Sequence, residues 1–300
     1  MTQNRTAGHL AALLTILIWG TTFISTKILL TDFQPVEILF FRFVMGFAAL
    51  LLIFPRSLGK TSLRQELTFA AAGLTGICLY YLLENIALTC TSASNVGVIV
   101  SAAPFFTGIM THIFLKEEEK LRGSFFLGFL VAMAGICLIS FNGTKLSLNP
   151  MGDLLSLLAA LVWSFYSVLT KKISGYGYST VLTTRRTFFY GILFMLPTLF
   201  FFDFHLELSR FATPLNLANI FYLGLGASAL CFVTWNYAVK LLGTVKTSVY
   251  IYIVPVITVV TSAIILHEKI TPLSALGTAL TIAGLFLSEA RIFQKKQNSR

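Results

Sequence analysis

Of 300 residues, 56% are hydrophobic and only 11% are charged, with a mean hydropathy of +0.82. A soluble globule draws about a quarter of its residues from the charged types, so this chain cannot clothe itself for water, and a soluble enzyme or binding domain is excluded. The net charge of +10 would point a soluble protein toward nucleic acid, but here the positive residues lie between apolar stretches and no nucleic-acid partner is expected.

Ten apolar stretches follow one another at 8–30, 35–55, 66–89, 93–115, 121–141, 152–170, 178–202, 214–239, 244–266 and 271–290. About 20 apolar residues span a bilayer as a helix, and hydrocarbon offers the backbone no partner outside a helix or closed barrel, so ten transmembrane helices are expected. The first stretch follows Arg5 and runs to Thr26 without a small-x-small cleavage site, and it is read as a retained span. Trp19, Thr22, Phe23 and Thr26 share one of its faces at helical spacing. Gln34-Pro35 opens the second span, which carries Arg42; Tyr81, Glu84 and Asn85 lie on the third, and Pro104 on the fourth. The fifth holds Gly128 and Gly135, which read as close-packing positions.

After Asn149-Pro150 the sixth span presents Trp163, Tyr166 and Ser167 on one face. The seventh, beyond Gly175-Tyr176-Gly177, has Arg185 and Arg186 in its first two turns. Thr213-Pro214 precedes the eighth, with Trp235 and Asn236. Tyr250 and Tyr252 lie one turn before Pro255 in the ninth, and Gly277 and Gly284 mark the tenth. The four cysteines (Cys78, Cys90, Cys137, Cys231) have no CxxC spacing, so neither a disulfide framework nor a metal site is expected, and no cofactor.

Basic residues set the orientation of polytopic proteins. Alternate connections plus the tail carry 15 Lys and Arg, the opposite set only Lys145, Arg210 and Lys269. Both termini are therefore expected in the cytoplasm, consistent with an even number of spans.

The halves repeat. Trp19, Lys27 and Arg42 recur 144 positions later as Trp163, Lys171 and Arg186. Asn85, Pro104, Thr107 and Glu117 recur 151 positions later as Asn236, Pro255, Thr258 and Glu268. Gly128 and Gly135 recur as Gly277 and Gly284. Five spans per repeat is an odd number, so the second repeat crosses in the opposite sense, a construction common to secondary transporters. The expected division is 8–144 for the first repeat, 150–292 for the second and 293–300 for a basic cytoplasmic tail.

These residues also carry a resemblance. Trp235-Asn236-Tyr237-Ala238, then Pro255, His267-Glu268, Gly277 and Ala283-Gly284, resemble the second half of an EamA-type protein. Trp19-Gly20, Arg42, Pro104, Glu117, Gly128 and Gly135 resemble the first. The resemblance covers nearly the whole chain. It implies a ten-helix drug/metabolite transporter with a central cavity, in the plasma or inner membrane, moving small metabolites, often amino acids, usually outward.

Candidate substrate contacts are Trp19, Thr22, Arg42, Tyr81, Asn85, Trp163, Tyr166, Asn236 and Tyr252. Lys27 and Glu84 are candidates for a charge or proton site, because ionisable groups at membrane depth pair or face water. With Arg42 they fall in the expected outer half of the membrane as a possible charge cluster, and Arg42 and Lys27 favour cargo bearing a carboxylate. Pro104 and Pro255 are candidate hinges; a static bend is the plainer reading, as interhelical glue is for Asn85 and Asn236. Three alternatives compete with metabolite export. A hydrophobic-cation exporter suits the aromatic faces; a lipid-modifying enzyme lacks a His–acid constellation; a channel lacks a repeated filter. Substrate, coupling ion and oligomeric state are left open.

Overall fold

The computed structural model describes residues 2–91, 93–115, 123–140, 149–202, 204–265 and 271–289. Glu117, Lys145, His267, Glu268, Lys269 and the tail at 293–300 lie outside them. Every regular element among the described residues is helical. The helices are α1 (Thr2–Leu29), α2 (Pro35–Ile53), α3 (Leu63–Cys90), α4 (93–114, in segments Ala93–Val100 and Ala103–Phe114), α5 (Gly123–Ser140), α6 (Pro150–Ser174), α7 (Thr180–Phe201), α8 (Pro214–Leu242), α9 (Thr244–Ile265) and α10 (Pro272–Glu289). Six of them, α1, α2, α3, α6, α8 and α9, are long and apolar enough to cross a membrane by length and composition. Shorter apolar helices lie in α4, α5 and α10. In α7, Arg185 and Arg186 interrupt the apolar run.

The breaks are chemical. The Asn149 side chain accepts from Gly152 N at 3.2 Å to start α6, and Gln34 N donates to Glu37 Oε2 at 2.7 Å to start α2. Prolines at 35, 150 and 214 sit in first turns, where a missing N–H costs nothing. The third helix starts earlier than its apolar run, because Ser62 and Gln65 cap each other reciprocally. It then runs past Glu84 to Cys90. Gly243 turns the chain between α8 and α9 at φ +90°, a conformation that favours glycine.

Close packing follows the repeat. A Cβ on Gly128 of α5 would lie 2.6 Å from Gly284 O of α10, and one on Gly135 2.5 Å from Gly277 O. A Cβ on Gly73 of α3 would meet Gly191 N of α7 at 2.6 Å, and one on Gly46 of α2 would meet Gly224 O of α8 at 3.2 Å. Repeat partners thus contact each other's neighbours crosswise, which a two-fold relation between halves requires. The π-helical segments Leu74–Leu79 in α3 and Tyr222–Leu230 in α8 also occupy matched positions.

Ion pairs fasten the connections. At one end, Arg186 of α7 grips Glu66 of α3, with contacts at 2.8 and 3.0 Å, and Arg185 donates to the carbonyls of Phe54 (2.6 Å) and Arg56. At the other, Arg210 grips the buried Glu37 at 2.8 and 3.1 Å. The Glu37 carboxylate beside it holds the Arg210 guanidinium above its ordinary pKa. Phe200 and Phe201 end α7 almost fully exposed, and the outward faces of α1, α5 and α10 carry exposed leucines suited to lipid.

Candidate functional site

A small cavity lies between α1, α3, α4, α6 and α9. Trp19, Thr22 and Phe23 line it from α1, and Tyr80, Tyr81 and Glu84 from α3. Trp163 enters from α6. The rest of the wall is the two broken helices: Gly97, Val100, Ser101 and Ala103 of α4, Ile251 and Val254 of α9.

Those breaks have a local cause. Pro104 and Pro255 were expected inside continuous helices; instead each stands in the first turn of a second segment. Without an amide hydrogen, Pro104 cannot donate to Val100 nor Pro255 to Ile251, four residues earlier. The chain turns at Ser101-Ala102 in α4 and tightens to a 3-10 turn over Val249–Ile253 in α9. Val100 and Ile251, the residues that each proline thereby fails to reach, line the cavity, and the Ile251 carbonyl accepts from Val254 N instead. Val100 and Ile251 are repeat partners, as are Ala103 and Val254, and Trp19 and Trp163. Three pairs of equivalent positions meet in one space, so the cavity straddles the pseudo-two-fold axis.

Aromatic rings form most of the remaining wall. Trp19 meets Trp163 edge-on with centroids 5.3 Å apart, and Tyr80 lies 4.8 Å from Trp163. The Trp19 indole N–H donates to Ala227 O at 2.9 Å, which fixes that ring against α8. Behind them Phe232 packs against Tyr166, Phe43 and Phe188. Glu84 is the one charged residue lining the cavity among the described residues; it is 3% exposed and lies beside the Tyr80 hydroxyl.

The other sequence candidates are placed as follows. Arg42 is 1% exposed but stands behind the wall, its guanidinium 4.3 Å from the Tyr81 ring centroid and its Nε donating to Ser228 Oγ at 3.0 Å. Lys27 does not join it: its ammonium donates to Leu88 O at 2.6 Å and Thr91 O at 3.3 Å, capping the carbonyl end of α3. The expected cluster of Lys27, Arg42 and Glu84 is not assembled, because a nearby helix end offers Lys27 better acceptors. Thr22 lines the cavity with its hydroxyl donating to Trp19 O at 2.7 Å.

Asn85 donates to Pro35 O at 3.0 Å, tying α3 to the start of α2. Asn236 accepts from Tyr166 Oη and donates to Thr184 Oγ1, both at 2.9 Å, joining α6, α7 and α8 beside a separate polar cleft. Neither amide lines the central cavity, nor does Tyr166. Tyr252 is fully buried against α5, among Phe125, Ala132 and Ile136. The 3-10 turn explains this, because three residues per turn put Ile251 and Val254 on one face and Tyr252 on another.

Tyr80, Val100 and Ile251 were missed. Counting four residues back from each matched proline would have found the last two. No group of three or more metal-ligating side chains occurs among the described residues.

Comparison with known proteins agrees with this architecture. The model of the EamA-like transporter family matches the chain twice, over residues 6–141 and 150–289. An uncharacterized transporter of Archaeoglobus fulgidus is 30% identical over 297 residues, covering 95% of this chain and 98% of its own. A protein of Streptantibioticus cattleyicolor named a probable terminal-alkyne amino-acid exporter is 26% identical, covering 96% and 95%. One solved crystal structure superposes with a TM-score of 0.78 at 19% identity, over 97% of this chain and 99% of the other.

Proposed function

Because the chain belongs to the EamA-like transporter family, we propose that it exports amino acids or related amine-bearing metabolites by alternating access at the cavity between its halves. The observation that carries this reading is the make-up of the wall. Repeat partners from α1 and α6, and from the breaks of α4 and α9, surround one space that holds one carboxylate. Two halves exchanging conformations about such a site would expose it to each side in turn.

Amine recognition rests on Glu84 and its aromatic neighbours. A carboxylate offers the ammonium a charge-assisted hydrogen bond, and the faces of Trp and Tyr attract cations. The Streptantibioticus relative, named an amino-acid exporter, supports the same direction. A second reading, export of hydrophobic organic cations, is favoured by one specific fact: the acid Glu84 lines the cavity, while Arg42 and Lys27 stand outside it. Glu84 is also the candidate proton site under either reading. With 15 positive residues on one set of connections and tail against three on the other, we take both termini to be cytoplasmic.

Counterflow into proteoliposomes tests the proposal, using labelled amino acids, the amines that lack their carboxylates and the acids that lack their amines, with and without a pH gradient. Accumulation of amino acids, lost in Trp163→Ala, is expected. Accumulation of amines alone would favour the cation reading, and carriage of amine-free acids alone would refute both.

A further inference from the structure

The Arg42 guanidinium has a feature that packing leaves unexplained. Its Nε is bonded to Ser228, but Nη1 and Nη2 have no hydrogen-bond partner although the residue is 1% exposed. A buried cation with two idle donor nitrogens is unfavourable, so a state in which they are satisfied has a ready driving force. Among the described residues no carboxylate lies within ion-pair distance of it, and Glu84 is the acid within electrostatic range. The Tyr81 ring stands beside both: it carries the guanidinium on its face and lines the cavity one turn before Glu84. Lys27 of α1, the other cation expected in this cluster, is committed to backbone carbonyls.

We infer that Arg42 is a tethered counter-ion of Glu84, which pairs with that carboxylate while the empty protein changes conformation and yields it to the cargo's ammonium. The inference rests on the reading of Glu84 as the amine-binding group. A carboxylate left alone among aromatic rings would be an uncompensated charge whenever the empty protein changes conformation. A cation anchored on the neighbouring helix neutralises it for that step. Arg42 then competes with cargo and determines specificity: only a molecule bearing its own cation displaces the guanidinium.

The sign of an Arg42 substitution separates this role from direct contact with a cargo carboxylate. The test is quenching of tryptophan fluorescence in the purified full-length protein, titrated with 2-phenylethylamine and with phenylalanine. Arg42→Gln is expected to tighten binding of both about five- to tenfold, Arg42→Lys to stay within about twofold of wild type, and Glu84→Gln to weaken both at least about tenfold. Selective weakening of phenylalanine in Arg42→Gln would show that Arg42 holds the cargo's carboxylate, and unchanged affinity for both probes would show that it does not compete; either overturns the inference. Where Arg42→Gln fails to yield monodisperse protein, Ser228→Ala carries the test. Freeing Nε should release the guanidinium toward Glu84 and weaken both probes about twofold or more, whereas equal or tighter binding overturns the inference. Wild-type protein that responds to neither probe refutes the amine reading itself, and this inference falls with it.

Discussion

Trp163 and Asn236 were both substrate-contact candidates in the sequence, Asn236 with interhelical glue as its plainer reading, and their surroundings now separate them. Trp163 is a wall of the cavity, in contact with Trp19 and Tyr80. Trp163→Ala should lower flux at least about tenfold with little change in fold, whereas Trp163→Phe, which keeps a ring, should retain part of it. Asn236 instead holds a Tyr166–Asn236–Thr184 chain of hydrogen bonds. Asn236→Ala strands two buried hydroxyls, so it should cost about 1–3 kcal/mol of stability, read as a lower melting temperature in detergent, and leave cargo affinity within about twofold. A lost affinity at unchanged melting temperature would return Asn236 to the site. Sequence alone could not divide these two, since both are buried aromatic or amide residues matched by the repeat. What divides them is which neighbour each side chain reaches, and that depends on helix rotation.

At the scale of the helix, the prolines were visible as a matched pair but their consequence was not. Helical spacing assumed 3.6 residues per turn throughout α9, and the 3-10 turn before Pro255 shifted Tyr252 out of phase. Pro104→Ala and Pro255→Ala supply the amides that α-helical bonds to Val100 and Ile251 require and should favour continuous helices. Both variants are expected to melt higher and to transport several-fold more slowly; unchanged flux would make the breaks static bends. The glycine contacts were legible from spacing alone, because small residues at matched positions are how membrane helices approach closely. Gly135→Val would drive methyl groups into the carbonyl of Gly277. Its cost should reach about 1–3 kcal/mol or more, seen as loss of monodisperse protein on heating, and a variant as stable as wild type would refute that contact.

For the whole molecule, ten helices, their doubling and the family were all readable from hydropathy and the offsets between matched residues, which survive because each repeat buries equivalent faces. The ion pairs Glu66–Arg186 and Glu37–Arg210 were not, since they join residues 120 and 173 positions apart that no repeat relates. Nor was the ionisable lining of the cavity: Arg42 and Lys27 drew attention as cations, yet the residue that faces the space is the acid Glu84. Orientation has its own check. In a cysteine-free background, Leu206→Cys should react with an impermeant maleimide on intact cells and Lys60→Cys should not; the reverse pattern would invert the molecule.

The central claim is that Glu84 is the group on which cargo amines are carried, and the most direct measurement is counterflow of labelled amine-bearing cargo by wild type and Glu84→Gln side by side, at matched reconstitution and melting temperature. Uptake by the wild type that falls to the level of empty liposomes in the variant is the predicted result. Wild-type rates in Glu84→Gln would contradict it and leave the cavity without its carrier.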